Sequence, residues 1–298
     1  MTGHPRKSGR VFSESPPGWS FPRKKLEKDL KSVKRADIPT EHPQASRALR
    51  STTKKGLTKE TSMLPKVDLH THTIASGHAF GTVNENVMEA AAKGLEVIGI
   101  SDHGPAVPGA PNIVYFSCLG FLPRTLHGVT VLRGVEANIF HDGSIDLDER
   151  QLERLDYVMA GLHGEAGYAG ATANDHTRAI IAAMGNPRIR IITHPGNPRF
   201  PAHLEELARA AADTGTALEL NNSSLTCARP GSSPRCHELA RLCARFGAPV
   251  AIGSDAHIPQ AVGVLDAALE MALEAGLSWE QIVTRDRDAI FDFLRITP

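Results

Sequence analysis

Residues 68–78 read Asp-Leu-His-Thr-His-Thr-Ile-Ala-Ser-Gly-His, so His70, His72 and His78 follow a short apolar run. In a strand, residues i and i+2 share a face, and His70 and His72 can therefore aim two imidazoles at one point. That is the arrangement a metal ion requires. A His-x-His pair alone is weak evidence, because two surface or core histidines would read the same. Its weight comes from later apolar runs that also end in chemistry-bearing side chains. Ser-Asp-His supplies Asp102 and His103, Arg-Gly-Val-Glu-Ala-Asn supplies Glu136 and Asn138, and Ala-Gly-Leu-His supplies His163. Thr-His-Pro-Gly supplies His194, and Gly-Ser-Asp-Ala-His supplies Asp255 and His257. One further run ends in Asn221, Asn222, Ser223 and Ser224. Burying so many imidazoles and carboxylates together without a cation would leave large desolvation costs, so metal binding is the economical reading.

The elements that must position these groups follow from the apolar pattern. Val/Ile/Leu-rich runs at 66–70, 96–103, 129–138, 157–163, 190–194, 217–222 and 249–257 read as strands. Ala-, Leu- and Glu-rich stretches at 83–93, 172–184, 204–213, 233–246 and 261–274 read as amphipathic helices between them. Residues 104–126, with Pro105, Pro108 and Pro111, read as a long active-site loop leading into a short helix. Strands alternating with helices imply a mainly parallel sheet. Seven strands with no Gly-x-Gly-x-x-Gly fingerprint favour a closed β/α barrel, whose site belongs at the C-terminal ends of the strands.

Composition bounds the rest. The chain has 298 residues, 41% of them hydrophobic, and a formal net charge of zero. The charge is unevenly spread: residues 1–65 hold 15 Lys/Arg against 6 Asp/Glu, and residues 66–298 hold 18 against 27. An acidic body argues against nucleic-acid binding there. The basic, Ser/Pro-rich stretch 1–65 is expected to be a disordered tail, with at most a short helix at 24–34, or an extension ahead of a start at Met63. The globular domain is expected to occupy 66–298. Cys118, Cys227, Cys236 and Cys243 form no Cys-x-x-Cys pair and read as reduced packing residues. No apolar stretch reaches the roughly 18–20 residues a membrane span requires. A soluble, cytoplasmic protein is expected, with its oligomeric state open to a homo-oligomer.

The motifs His-Thr-His, Ser-Asp-His-Gly, Arg-Gly-Val-Glu-Ala-Asn, Ala-Gly-Leu-His, Thr-His-Pro-Gly-Asn-Pro, Leu-Asn-Asn-Ser-Ser and Gly-Ser-Asp-Ala-His, in this order, resemble the PHP (polymerase and histidinol phosphatase) superfamily. Within it they are most similar to the YcdX-type phosphatases, over roughly residues 63–298. The resemblance implies a distorted seven-stranded β/α barrel and a trinuclear metal site, usually with zinc. It places His70, His72, Glu136 and Asp255 on one metal, and Glu136, His163 and His194 on a second, with Glu136 bridging. His78, His103 and His257 fall to the third. Seven imidazoles and two carboxylates without a thiolate suit Zn²⁺, Mn²⁺ or Fe²⁺. Two features depart from the family pattern: the 1–65 extension, and Gly164 after His163, where many relatives carry an acidic residue.

The chemistry such a site implies is hydrolysis of a phosphate monoester of a small soluble substrate by a metal-activated hydroxide. Glu136 and Asp255 are the catalytic candidates, with Asp255 or a coordinated water protonating the leaving group. Arg199, Asn222 and Arg229 are candidates for meeting the phosphate, and an Arg fork matches its oxygens. Asp68 and Asp102 read either as acceptors that orient neighbouring His rings or as ordinary strand-end hydrogen-bond acceptors. Histidinol-phosphate hydrolysis, a 3′–5′ exonuclease or phosphodiesterase, and a non-catalytic metal-binding module are the alternatives.

Overall fold

A computed structural model describes residues 64–297. The expected tail, the short helix at 24–34 and the start at Met63 lie outside the described residues. The strands are β1 (Val67–Asp68), β2 (Val97–Ile100), β3 (Thr125–Leu126), β4 (Val129–Arg133), β5 (Glu136–Asn138), β6 (Val158–Gly161), β7 (Ile189–Ile192), β8 (Ala217–Asn221) and β9 (Val250–Gly253). The α-helices are α1 (Val83–Ala92), α2 (Ile113–Cys118), α3 (Glu149–Leu152), α4 (Ala173–Met184), α5 (Leu204–Thr214), α6 (Asn222–Thr226), α7 (Ser232–Phe246), α8 (Asp266–Glu274) and α9 (Arg287–Leu294). Among the described residues no helix is long and apolar enough to cross a membrane.

The α/β alternation is as expected, but the closed seven-stranded barrel is met only in part. The strands form a four-stranded sheet, β1-β2-β4-β3, and a five-stranded sheet, β5-β6-β7-β8-β9. All neighbours are parallel except the short β3–β4 hairpin. The run expected as one strand over 129–138 is divided into β4 and β5 at Gly134 and Val135. A Cβ on Gly134 would overlap the Tyr157 ring, so the chain yields there to a bulky side chain packed against it. Isolated parallel bridges, His103 to Glu136 and Thr71 to Ala256, join the two sheets at both seams.

Helix starts follow their capping chemistry. Thr82 accepts from the Glu85 amide at 3.2 Å while Glu85 accepts from the Thr82 amide at 2.8 Å, and Thr172 with Asp175 repeats the box at α4. The expected helix 261–274 begins late, at Asp266, because a 3₁₀ turn at Pro259–Ala261 and a turn at Gly263 come first. Helix α9 was not expected. It is short and opens on charged residues, yet it is capped by Asp286 and buries Ile290, Phe291 and Leu294.

Alternation along the strands sorts the core. Val97, Leu132, Tyr157, Met159, Ile191, Ala217 and Ala251 cluster with the buried face of α9. Their neighbours one step along, such as Val158, Ala160, Leu218, Leu220 and Ile252, pack against helices in a second cluster. Continuing the first face toward the strand ends reaches Glu136, Asn138, His163, Glu219 and Asp255. Tyr157 anchors this layer, since its buried hydroxyl donates to the Leu69 carbonyl at 2.6 Å, next to His70. Tyr157→Phe is expected to cost about 1 kcal/mol through the lost bond, and Gly134→Ala roughly 1–3 kcal/mol through overpacking. Urea unfolding of chelator-treated protein measures both.

Candidate metal centre

Glu136 sits at the middle of the site, fully buried. Its Oε1 lies 2.8 Å from His194 Nε2 and 3.3 Å from His163 Nε2. Its Oε2 lies 3.0 Å from His103 Nδ1, 3.4 Å from His70 Nε2 and 3.5 Å from His72 Nε2. Asp255 Oδ1 is 3.4 Å from both His70 Nε2 and His72 Nε2, and these two nitrogens are 3.1 Å apart. His257 Nδ1 is 3.5 Å from Asp255 Oδ1. His78 is exposed at the mouth, its ring centroid 5.0 Å from those of both His103 and His257.

Three ligand groups have their donor atoms within 4.8 Å of one another: His70/His72/Glu136, His103/Glu136/His163 and His72/His103/His257. The first falls within the set the family resemblance assigns to one metal. The third draws in His72 where the resemblance names His78. The donor set fits a cation on two counts. It offers imidazole and carboxylate, the ligands borderline divalent ions accept. It also leaves Glu136 Oε2 and His103 Nδ1 buried without a hydrogen-bond partner, and such orphaned atoms are rare in a satisfied interior.

The far ring nitrogens are tied down, which turns the near ones inward. His70 Nδ1 donates to Glu219 Oε1 at 2.6 Å, His72 Nδ1 to Ser76 Oγ at 3.1 Å, and His163 Nδ1 to Asn138 Oδ1 at 2.7 Å. Asn138 is itself held by Asp146, to which its Nδ2 donates at 2.5 Å. Asp102 accepts from Thr73, Tyr115 and Ser76, so it steadies His72 through Ser76. Asp68 instead accepts the backbone amides of His70, Ser254 and Gly263, and acts as a strand-end acceptor.

Two of these residues have left-handed backbone, and one of them, His194, leaves the strand alternation through it. His194 has φ +35° and Asp255 has φ +57°, conformations that cost a non-glycine residue on the order of 1–3 kcal/mol. His194 follows outward-facing Ile192 by two positions, and the left-handed turn re-aims its ring into the cage. The Glu219 carboxylate holds that turn by accepting the His194 amide at 2.8 Å.

Electrostatics divide the cage. Burial opposes ionisation of Glu136, but His70, His163 and His103 overcome it and hold its carboxyl well below the usual range. Asp255 is likewise held low against burial, by His70 and Arg229. Burial also opposes charging of His70, yet Glu219, Asp255 and Glu136 hold it well above the imidazole range. His194 goes the other way, to about 4, through burial and the nearby Arg229.

The residues expected to meet substrate are spread around a cavity of about 940 Å³ that opens from the cage. Arg229 lies against the cage, its Nη1 donating to Asp255 Oδ2 at 2.7 Å. Asn222 is buried and its Oδ1 accepts from the Ala268 amide at 3.1 Å, which ties α6 to the start of α8. Arg199 is at the rim, 61% exposed and paired with Glu165 at 2.7 Å. Gly164 lies under that guanidinium, where a Cβ would come within 2.6 Å of Arg199 Nη2. The expectation of four packed cysteines holds for Cys236 and Cys243, whereas Cys118 and Cys227 are exposed and Cys227 lines the cavity. Cys118 ends one short helix and Cys227 follows another, both on the exposed side.

Sequence reasoning missed Glu219, although period-two alternation from Ala217 places it on the inward face. It also missed Ser76 and Asp146, whose loops carry no such periodicity. A Cβ on Gly253 would overlap Glu219 Oε1, so that position stays bare to admit the carboxylate.

Residues 68–223 match the PHP domain family. A probable phosphatase of Syntrophotalea carbinolica is 48% identical over 234 residues, 78% of this chain and 98% of the relative. A probable phosphatase of Caldanaerobacter subterraneus subsp. tengcongensis is 44% identical over 230 residues, 77% and 91% of the two chains. Among solved structures, histidinol phosphate phosphatase from Lactococcus lactis, complexed with zinc, L-histidinol and phosphate, is similar with a TM-score of 0.51. It is 19% identical, and the match covers 72% of this chain and 95% of that one.

Zinc at 100 times its dissociation constant is expected to stabilise the chelated protein by about 2.7 kcal/mol, raising Tm on the order of 5–10 °C. Glu136→Ala should show less than half that rise and less metal per chain by elemental analysis. Uptake should weaken as pH falls through the imidazole range, because ligand nitrogens must be unprotonated.

Proposed function

The chain belongs to the PHP family, and on that premise we propose that it hydrolyses monoesters of phosphate on small soluble substrates, using three divalent cations. One observation carries this reading: side chains from the ends of both sheets converge on Glu136 beside an open cavity. We read the parallel strands as a distorted seven-stranded barrel in which β4 and β5 share one place. The bridges at both seams support that reading.

His70, His72, Glu136 and Asp255 would hold one cation, Glu136, His163 and His194 a second, and His78, His103 and His257 the third. Zinc suits this imidazole-rich set best, with manganese or iron also compatible. Such ions supply water that ionises near neutral pH and positive charge opposite the phosphoryl oxygens.

The chain's own residues do the rest. Arg229 uses Nη1 to reach Asp255, Asn221 and Ser224, which leaves other guanidinium donors to clamp a phosphate oxygen. Asn222 keeps its Nδ2 for substrate while Oδ1 serves Ala268. Arg199 at the rim would meet an incoming anion first. Asp255 Oδ2 accepts from both Arg229 and Asn221, and its depressed pKa makes it a poor proton donor. Its part is to hold a cation and Arg229. A cytoplasmic setting accords with four free cysteines.

Protein reconstituted separately with zinc, manganese and iron is to be assayed on a phosphoester panel that includes histidinol phosphate. His70→Ala and Glu136→Ala should each lose at least about 100-fold in kcat/KM. Arg229→Ala should lose about tenfold, chiefly through KM. Wild-type turnover in metal-depleted Glu136→Ala protein would end this reading.

A further inference from the structure

The cavity beside the cage is far larger than a phosphate group requires, and at about 940 Å³ it reaches the size of sites that enclose whole organic ligands. Its wall away from the ligands comes from three loops, those after β2, β7 and β9. They contribute Val107 and Pro108, Pro198 and Phe200, and Ile258 and Val264. Ile258 is 46% exposed and Val264 38%. Neither belongs to the three apolar clusters of the fold, and nor does Val107. Val107 is itself buried, but Ile258 and Val264, exposed apolar side chains beside one cavity, mark a surface that a ligand covers.

Charge on the same wall is already balanced. Among the described residues, the charged side chains lining the cavity besides histidine are Glu165, Arg199, Arg229 and Asp255. They form two ion pairs, Arg199 with Glu165 and Arg229 with Asp255, each at 2.7 Å. With Arg229 given to the first phosphate, a second would meet only Arg199, whose charge Glu165 already offsets, and an ammonium would meet only paired carboxylates. Hydroxyls laid against Val107, Ile258 and Val264 would give up water against carbon, whereas Asn197, Asn222, Ser223, Thr226 and Ser254 line other parts of the cavity.

We propose that the site selects phosphate monoesters whose alcohol carries a neutral, apolar body about the size of an aromatic ring. This rests on the phosphatase reading. The phosphate lies at the cage and Arg229, and the body lies against Val107, Ile258 and Val264. Specificity then comes from apolar residues on the loops after β2 and β9, the same loops that carry His103, Asp255 and His257.

Calorimetry on metal-loaded protein with benzylphosphonate, methylphosphonate and 2-aminoethylphosphonate tests the wall directly. Benzylphosphonate should bind at least about tenfold more tightly than either of the others. Ile258→Asp should erase most of that advantage over methylphosphonate. Val264→Ser provides a milder second variant in which the advantage shrinks. In turnover, phenyl phosphate and 1-naphthyl phosphate should exceed glycerol 3-phosphate, glucose 6-phosphate and histidinol phosphate in kcat/KM by a similar factor. Equal affinity for the benzyl and methyl compounds, or an advantage untouched by Ile258→Asp, overturns the proposal. Preferential benzylphosphonate binding without hydrolysis of any ester would instead overturn the phosphatase reading and uphold the apolar subsite.

Discussion

A carboxylate with no exposed surface, ringed by five imidazole nitrogens within 3.5 Å, is the constraint on which this molecule is built. Removing such an anion from water costs several kcal/mol, and only nearby positive charge offsets it. The imidazoles cannot all provide that charge. His70 and His72 bring their Nε2 atoms to 3.1 Å, and protonating both would set like charges face to face. Burial and Arg229 keep His194 neutral well into acid. What remains is a concave set of lone pairs around a fixed anion, a place made for cations. PHP kinship and the physical chemistry of Glu136 agree on this point from independent directions.

The scaffold spends local stability to hold that arrangement. Two inward-turned residues, His194 and Asp255, carry left-handed backbone, and one acid, Glu219, braces both neighbourhoods. Its two oxygens reach His70, the His194 amide and Asn221, and Asn221 continues to Asp255. Adjacent strands β7, β8 and β9 are thus fastened to β1 by a single side chain and its partner. The ring orientations are set by these outer contacts, not by the imidazoles themselves.

Much of this was legible in the sequence, because alternation is a strong rule. Leu132, Glu136 and Asn138 share a face, as do Tyr157, Met159 and His163, and the apolar members locate the polar ones. The short strand lengths were less legible, since the run 129–138 looks continuous until Tyr157 is placed against Gly134. Side chains on irregular loops escaped altogether: Ser76 orients His72, and Asp146 steadies Asn138, with no period to betray either. Helix α9 was hidden by its charged opening, although its buried face shares an apolar cluster with residues of β1, β2, β4, β6, β7, β8 and β9.

The bridge between Thr71 and Ala256 has a consequence for how the chain assembles. It joins positions at opposite ends of the domain, and His70 and Asp255 stand directly beside it. Closing so long a loop carries an entropy penalty that grows only as the logarithm of its length, roughly 0.6 kcal/mol for each doubling. The greater difficulty is kinetic, because contacts this remote in sequence form late. The cage can exist only once that closure has been made, and it is lost when the seam opens. Whatever occupies it acts as a clasp between the two sheets, and its retention reports on the integrity of a junction whose two halves lie far apart in the chain.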